Sequence, residues 1–435
     1  MNLLIRNATV VQWHPPKVIE GTDVLIEKGL IARMGTAIGS TIREVRVLEA
    51  RGRILMPGNV CAHNHFYATL ARGIVARIPE SHDFVGVLKN LWWRLDRALD
   101  RDSLFASGMV GALEAIRCGT TAVVDHHASP AFIRGSLKTL REAFDTCGLR
   151  GILCYEVTDR DGMEGRDEGL TENRDFIIQN ESDRLRGAVG AHAPFTLSDQ
   201  SLARLSEIVS ETGRGIHLHV SEDAYEHSFS HHHYGISPLE RLERFGLLDE
   251  KSLIVHGVHL LDKEIELLKT RRAFLVHNPR SNMNNQVGYN PRLLDLAGAA
   301  LGTDGMGSDM FEESRFAYFR CREERRDLPP DRIVGILDCG NRILERYFGG
   351  SFGRVEPGYT ADLLLLSEDP PTPLRVENLS AHFIFGLASR NVDTVIVGGN
   401  VIYENGRFPF DTEPFYGEAR KQAARMWKEL DAIDI

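Results

Sequence analysis

No stretch of the 435 residues approaches the roughly 18 consecutive apolar residues that a membrane-spanning helix needs. The opening MNLLIRNATVVQW alternates and lacks the apolar run of a secretory leader, so a cytoplasmic protein is expected. Cysteine is sparse, and none of the six (Cys61, Cys118, Cys147, Cys154, Cys321, Cys339) forms a CxxC pair. Reduced, mostly buried thiols are therefore expected, not a disulfide frame. Basic charge falls short: 51 Lys and Arg face 61 Asp and Glu, a net −10. That balance disfavours nucleic acid or an anionic membrane as partner and suits a protein that meets small molecules. Several catalytic signatures are also missing, among them HExxH, GxxxxGK[ST], a strand-linked GxGxxG and PCxxC. The one GxSxG match, GGSFG around Ser351, follows a helical pattern instead of a strand, the wrong context for a nucleophile elbow.

What is present is a repeating order of elements. Eight short β-branched or apolar runs cover residues 55–65, 120–127, 150–157, 186–194, 215–222, 252–260, 274–282 and 299–307. Between several of them lie amphipathic patterns such as 103–119, 136–148 and 197–213, with Ser or Asp near the start and Gly at the end. This alternation predicts a parallel (β/α)8 TIM barrel over 55–355. Residues 1–54 and 356–435 read differently. They alternate with period two and carry the hairpin candidates GGN and ENG, which predicts one small β-sandwich domain made from both chain termini. A final helix is expected at about 413–431.

Histidine is abundant, 17 in all, and many fall at the C-terminal ends of the predicted strands, where barrel active sites lie. They are His63 and His65, His126 and His127, His192, His219, His256 and His259, and His277; the eighth strand ends instead at Asp304. Imidazoles gathered with a carboxylate around one mouth are what a divalent transition metal requires. His63 and His65, two apart on a strand, share a face. Each residue alone has a plainer reading: a packed polar histidine, or for Glu222 a solvated loop carboxylate. His256 is open between metal ligand and neighbouring donor, and His217 reads as a packed interior residue.

In this order the residues resemble the metal-dependent amidohydrolase superfamily, specifically its deaminase and chlorohydrolase branch. PGNVCAHNHFY, LKNLWWRLDRALD, DHHASP, GAHAPFT, HNPRSNMNN and GTDGMGSDMFEE are similar to the SsnA-type aminohydrolases, over essentially the whole chain. The resemblance implies His63, His65, His219 and Asp304 as metal ligands and Glu222 as the proton shuttle. It also implies His256 beside the reactive water, His192 on the substrate side, a link to purine catabolism, and a homodimer or larger homo-oligomer. His126, His127 and the His231–His233 stretch belong to the narrower subgroup and carry no assigned role. Two-metal members of the superfamily commonly use a strand-end carboxylated lysine. No predicted strand end here carries a lysine, so one ion, Zn2+ or Fe2+, is expected.

The expected reaction is hydrolytic deamination of an aminated, purine-like N-heterocycle. Hydroxide generated at the metal attacks, Asp304 and His256 orient it, and Glu222 carries the proton. Trp92, with Trp93 beside it in a long first loop (66–101), is a candidate for stacking on a planar substrate, although packing under the loop is the plain alternative. Ser281 and Asn282 are candidates for hydrogen bonds to a ring edge. Arg160 either meets a substrate carbonyl or carboxylate, or pairs with Asp159 or Asp161. The alternatives are displacement of chloride or an alkylamine, opening of a cyclic amide on the same site, and a metal-free barrel acting as a scaffold.

Overall fold

The structure is a computed structural model that describes residues 2–38, 45–367 and 370–433. The remainder of the two terminal segments (1, 39–44, 368–369 and 434–435) lies outside the described residues. Eight parallel strands follow the predicted runs: β1 (Asn59–Asn64), β2 (Thr120–His127), β3 (Arg150–Tyr155), β4 (Leu185–Gly187 continued by Val189–Gly190), β5 (Ile216–Val220), β6 (Leu253–His256), β7 (Phe274–His277) and β8 (Ala299–Leu301). They pair in chain order as a four-stranded and a five-stranded sheet, with β4 contributing to both.

Backbone contacts join the sheets at two seams. Val157 bridges Ala191 and the Ala188 N–H donates to the Leu153 carbonyl; Asn64 bridges Asp304 and the Thr303 N–H donates to the His63 carbonyl at 2.8 Å. The mixed α/β content and parallel order are those of a TIM-barrel-type fold. Strand side chains are buried on both faces, which is why these segments read as near-continuous apolar runs. The predicted helices are present as Arg101–Arg117, Ser136–Cys147 and Asp199–Thr212. Asp100 and Ser198 cap the first and third, and Gly148 and Gly213, both left-handed, end the second and third. At the second seam, a Cβ on Gly302 would sit 2.5 Å from Asn278 Oδ1 and 2.8 Å from His63 Cβ, so only glycine lets β8 lie this close to the site.

Strands from both chain ends form one eight-stranded mixed sheet. Ile54–Pro57 sits between the two ends, parallel to Thr9–Val10 on one side and antiparallel to Leu363–Leu366 on the other. The expected boundary after residue 54 therefore falls inside a strand of the terminal sheet. One face of the sheet closes on its own apolar cluster, including Leu3, Ile5, Val24, Ile26, Leu363, Leu365 and Ile396. GGN makes the predicted turn between Val392–Val397 and Asn400–Glu404. GGSFG follows the helix Pro330–Phe348, as expected of a chance match.

The final helix, Glu413–Ala432, packs against the long first loop, which is itself largely helical. Trp427 Nε1 donates to the Leu70 carbonyl, and the buried Arg94 guanidinium donates to the carbonyls of Leu430 and Ile433 at the helix end. This anchors the segment that carries Trp92, Trp93 and Asp96. No helix among the described residues is long and apolar enough to cross a membrane.

Candidate active site

The four residues expected to bind metal converge at the C-terminal ends of β1, β5 and β8. His219 Nε2 lies 3.3 Å from both His63 Nε2 and His65 Nε2. Asp304 Oδ1 lies 2.9 Å from His65 Nε2 and 3.5 Å from His63 Nε2. The opposite ring nitrogens are already engaged. His65 Nδ1 faces the His126 carbonyl at 2.6 Å, and His219 Nδ1 faces the His192 carbonyl at 3.1 Å. A carbonyl only accepts, so both Nδ1 atoms carry the proton and both Nε2 atoms present lone pairs to each other. Lone pairs 3.3 Å apart repel unless a cation lies between them. Burial pushes the His63 and His219 imidazoles well below their ordinary pKa, which keeps them neutral. A proton on His65 Nε2 competes with an ion for that place: burial works against the charged forms of Asp304 and His65, but the hydrogen bond between them wins, so Asp304 stays well below the carboxylate range and His65 is raised to about 9. Positive charge is thus favoured at this point, and the donor set fits a divalent transition metal.

Glu222 and His256 stand beside this cluster. His256 Nδ1 donates to Asn282 Oδ1 at 2.8 Å, which leaves its Nε2 facing Glu222 Oε2 at 3.5 Å. Burial raises the Glu222 carboxyl, the His256 charge opposes that, and the nearby Asp304 adds to it. A carboxyl raised in this way keeps its proton to higher pH than an exposed one, which suits a group that gives and takes a proton. His256 also falls within 4.8 Å of His63, His219 and Asp304 through its ligand atoms, so it stands within reach of the same site.

The backbone here is bent for the purpose. Ser221, His256 and Asp304 have φ of 53°, 68° and 52°. Left-handed backbone at non-glycine residues costs roughly 1–2 kcal/mol each, and it recurs where side chains must be turned into a site. Glu226, missed from the sequence, braces the first of these turns. Its carboxylate accepts from the Ser221 N–H at 2.9 Å and the Glu222 N–H at 2.7 Å, and the residue is 1% exposed. Its place three residues after Asp223, the cap of the helix Ala224–Tyr234, was the available signal.

A cavity opens over the cluster, lined by His65, Trp92, His192, Glu222, His256 and Asp304 together with residues the sequence did not flag, notably Tyr67, Asp96, Glu156, Phe195 and Asn285. Trp92 and Trp93 straddle the end of a single π-helical turn, Leu88–Trp92. His192 hydrogen-bonds Thr196 Oγ1 through Nδ1, and its Nε2 lies 3.7 Å from Glu156. Two wall atoms are buried without a partner, Trp93 Nε1 and Asp96 Oδ1. Burial raises the Asp96 carboxyl to about 7 against the pull of Arg160.

Other expectations come out differently. Ser281 donates to Asp304 Oδ2 at 2.5 Å and Asn282 accepts from His256, so both are spent on orienting site groups and neither lines the cavity. Arg160 pairs with Glu156 at 3.1 Å, and not with Asp159 or Asp161, and stacks on Trp93 at 4.5 Å. It lines an outer groove beyond Trp93 instead of the cavity itself. His127 bonds Ser129, and His126 lies 3.3 Å from Glu156 behind the cavity wall. His231–His233 are exposed on the helix Ala224–Tyr234 and line no part of the cavity.

The amidohydrolase family model matches residues 54–402. The chain belongs to the amidohydrolase family. It is 29% identical to a 5-methylthioadenosine/S-adenosylhomocysteine deaminase of Caldanaerobacter subterraneus subsp. tengcongensis, over 98% of this chain and 99% of that protein. It is 30% identical to a 5'-deoxyadenosine deaminase of Methanothermobacter thermautotrophicus, over 92% of this chain and 94% of that protein. Among solved structures, an adenosine deaminase from Xanthomonas campestris with bound zinc superimposes with a TM-score of 0.85 at 24% identity, covering 98% of both chains. Chlorohydrolases share the same fold. As an amidohydrolase, the chain brings three histidines and an aspartate together at the strand ends described above.

Proposed function

We propose that this amidohydrolase is a one-metal deaminase that hydrolyses the exocyclic amino group of an adenosine-type nucleoside or a closely related aminated purine. The observation that carries the reading is the meeting of three imidazole Nε2 atoms and the Asp304 carboxylate beside the Glu222–His256 pair. His63, His65, His219 and Asp304 would hold the ion, Zn2+ or Fe2+, and no lysine is among the residues that line the cavity above it. When bound, such an ion supplies Lewis acidity that makes a water nucleophilic near neutral pH.

The chain's own residues supply the rest. Ser281 fixes the Asp304 carboxylate, and Asn282 fixes the tautomer of His256. Glu222 donates its proton to a ring nitrogen, takes up one from the attacking water and passes that one to the departing ammonia. Trp92 covers the ring. Trp93 Nε1 and Asp96 Oδ1 offer one donor and one acceptor to the part of the substrate away from the metal, a pairing that suits sugar hydroxyls. For the frame we propose a closed (β/α)8 barrel and a curled sandwich of the two termini, the whole in a homo-oligomer.

Ammonia release tests the reading. The panel is 5'-methylthioadenosine, S-adenosylhomocysteine, 5'-deoxyadenosine, guanine and a chlorotriazine. Ammonia from the nucleosides supports it; chloride from the triazine with no ammonia from any purine replaces it with a dehalogenase.

Glu226 gives a second expected result. Glu226→Gln turns an N–H donor toward backbone donors and releases the Ser221–Glu222 turn. Misplacing a catalytic group by about 1 Å costs roughly 10²-fold, so kcat falls by that order while metal content stays at the wild-type level. Unchanged kcat would remove Glu226 from the reading.

A further inference from the structure

A chain of polar side chains runs from the metal cluster down into the barrel interior, and the proposed reaction makes no use of it. His63 Nδ1 lies 2.9 Å from His217 Nε2, His217 Nδ1 lies 3.4 Å from Cys154 Sγ, and Cys154 Sγ reaches the Asp125 carbonyl at 3.7 Å. His63, His217, Cys154 and Asp125 are all 0% exposed. No solvent competes there, so each donor must find its acceptor within the chain.

The carbonyl at the far end only accepts, which sets the direction. The Cys154 thiol donates to Asp125, the His217 Nδ1–H donates to the sulfur, and the His63 Nδ1–H donates to His217 Nε2. His63 Nε2 then keeps its lone pair and points it at the cluster, 3.3 Å from His219 Nε2. The reverse direction places a proton on His63 Nε2 and removes one of the three imidazole donors. His126, Cys154 and His217 lie close enough together to raise the question of a second ion. His126 Nε2, however, faces the Ala191 and His217 carbonyls, and both nitrogens of His217 are engaged, so three lone pairs do not converge.

We propose that His217 and Cys154 are positioning residues for the metal: they lock the tautomer and ring plane of His63 and thereby set how tightly the ion is held. This rests on the proposed metal site but not on the substrate. Partners that orient a ligating histidine in this way are typically worth about 10–100-fold in metal affinity.

The test uses the full-length chain, stripped and reloaded with Zn2+, in competition with a chromophoric chelator. His217→Leu is expected to weaken Zn2+ binding about 10–100-fold. His217→Gln, whose Oε1 accepts from His63 Nδ1, recovers most of the loss. Cys154→Ala, which leaves His217 in place without its acceptor, shows a smaller weakening. Metal-free unfolding temperatures matching the wild type separate this effect from simple damage to the core. His217→Leu holding Zn2+ as tightly as the wild type overturns the proposal. If that variant does not fold, wild-type affinity in Cys154→Ala overturns it instead. A wild-type chain that takes up no Zn2+ removes the metal site and this proposal together. One that binds Zn2+ but releases no ammonia removes only the deaminase reading.

Discussion

Glu222→Gln is expected to keep the metal and lose turnover by about 10²–10⁴-fold, the usual worth of a positioned general acid–base group. Glutamine is nearly isosteric and preserves the contact to Asn285 Nδ2, 3.2 Å from Glu222 Oε1. The Glu226 clamp on the backbone is untouched, because it holds the N–H groups of Ser221 and Glu222 and not the side chain. What disappears is a carboxyl whose pKa burial raises and whose second oxygen faces His256 Nε2 at 3.5 Å. An amide cannot release and regain a proton at that point, so the loss falls on kcat and leaves substrate affinity largely intact. Single-turnover kinetics with stoichiometric metal check it. Wild-type turnover would mean that another group moves the proton.

Removing the metal is expected to abolish turnover outright, and Zn2+ should restore it. The stability effect is calculable in form. An ion that binds only the folded chain contributes about 2.7 kcal/mol when free metal exceeds its Kd by 100-fold. Its loss should appear as a lowered unfolding temperature in chelator and as a metal-concentration-dependent midpoint. Asp304→Ala should reproduce both effects. It takes away the carboxylate that favours positive charge between His63 and His65, and it leaves the left-handed backbone at residue 304 without the function that justifies its strain. A variant lacking Asp304 that keeps full activity would contradict the metal assignment.

Much of this was legible in the chain. Parallel strands buried on both faces leave short apolar runs, and eight of them were readable. The gathering of histidines was legible too, because imidazole has few reasons to collect at strand ends, and the structure brings His63, His65 and His219 together with Asp304. The polar residues that serve those groups were harder to see. Ser281 and Asn282 are candidates for ring-edge contacts by sequence, but whether they face a ligand or a neighbouring side chain depends on the start of a short helix, Pro279–Asn284, just after β7. Glu156 is next to last in the run 150–157, one carboxylate among many, and only folding sets it between His126, His192 and Arg160. His217 alternates onto the same strand face as His219. Its engagement with His63 depends on the approach of β1 to β5 across the barrel interior, a long-range contact that no local pattern encodes.

Anomalous diffraction at the zinc absorption edge, on crystals of the full-length chain grown with Zn2+, addresses the metal centre most directly. The expected map contains one strong peak per chain, about 2.0–2.2 Å from the Nε2 atoms of His63, His65 and His219 and from an Asp304 oxygen. A map with no peak among those four groups, or with a second peak of equal strength beside the first, would contradict the one-metal centre on which the proposed chemistry stands.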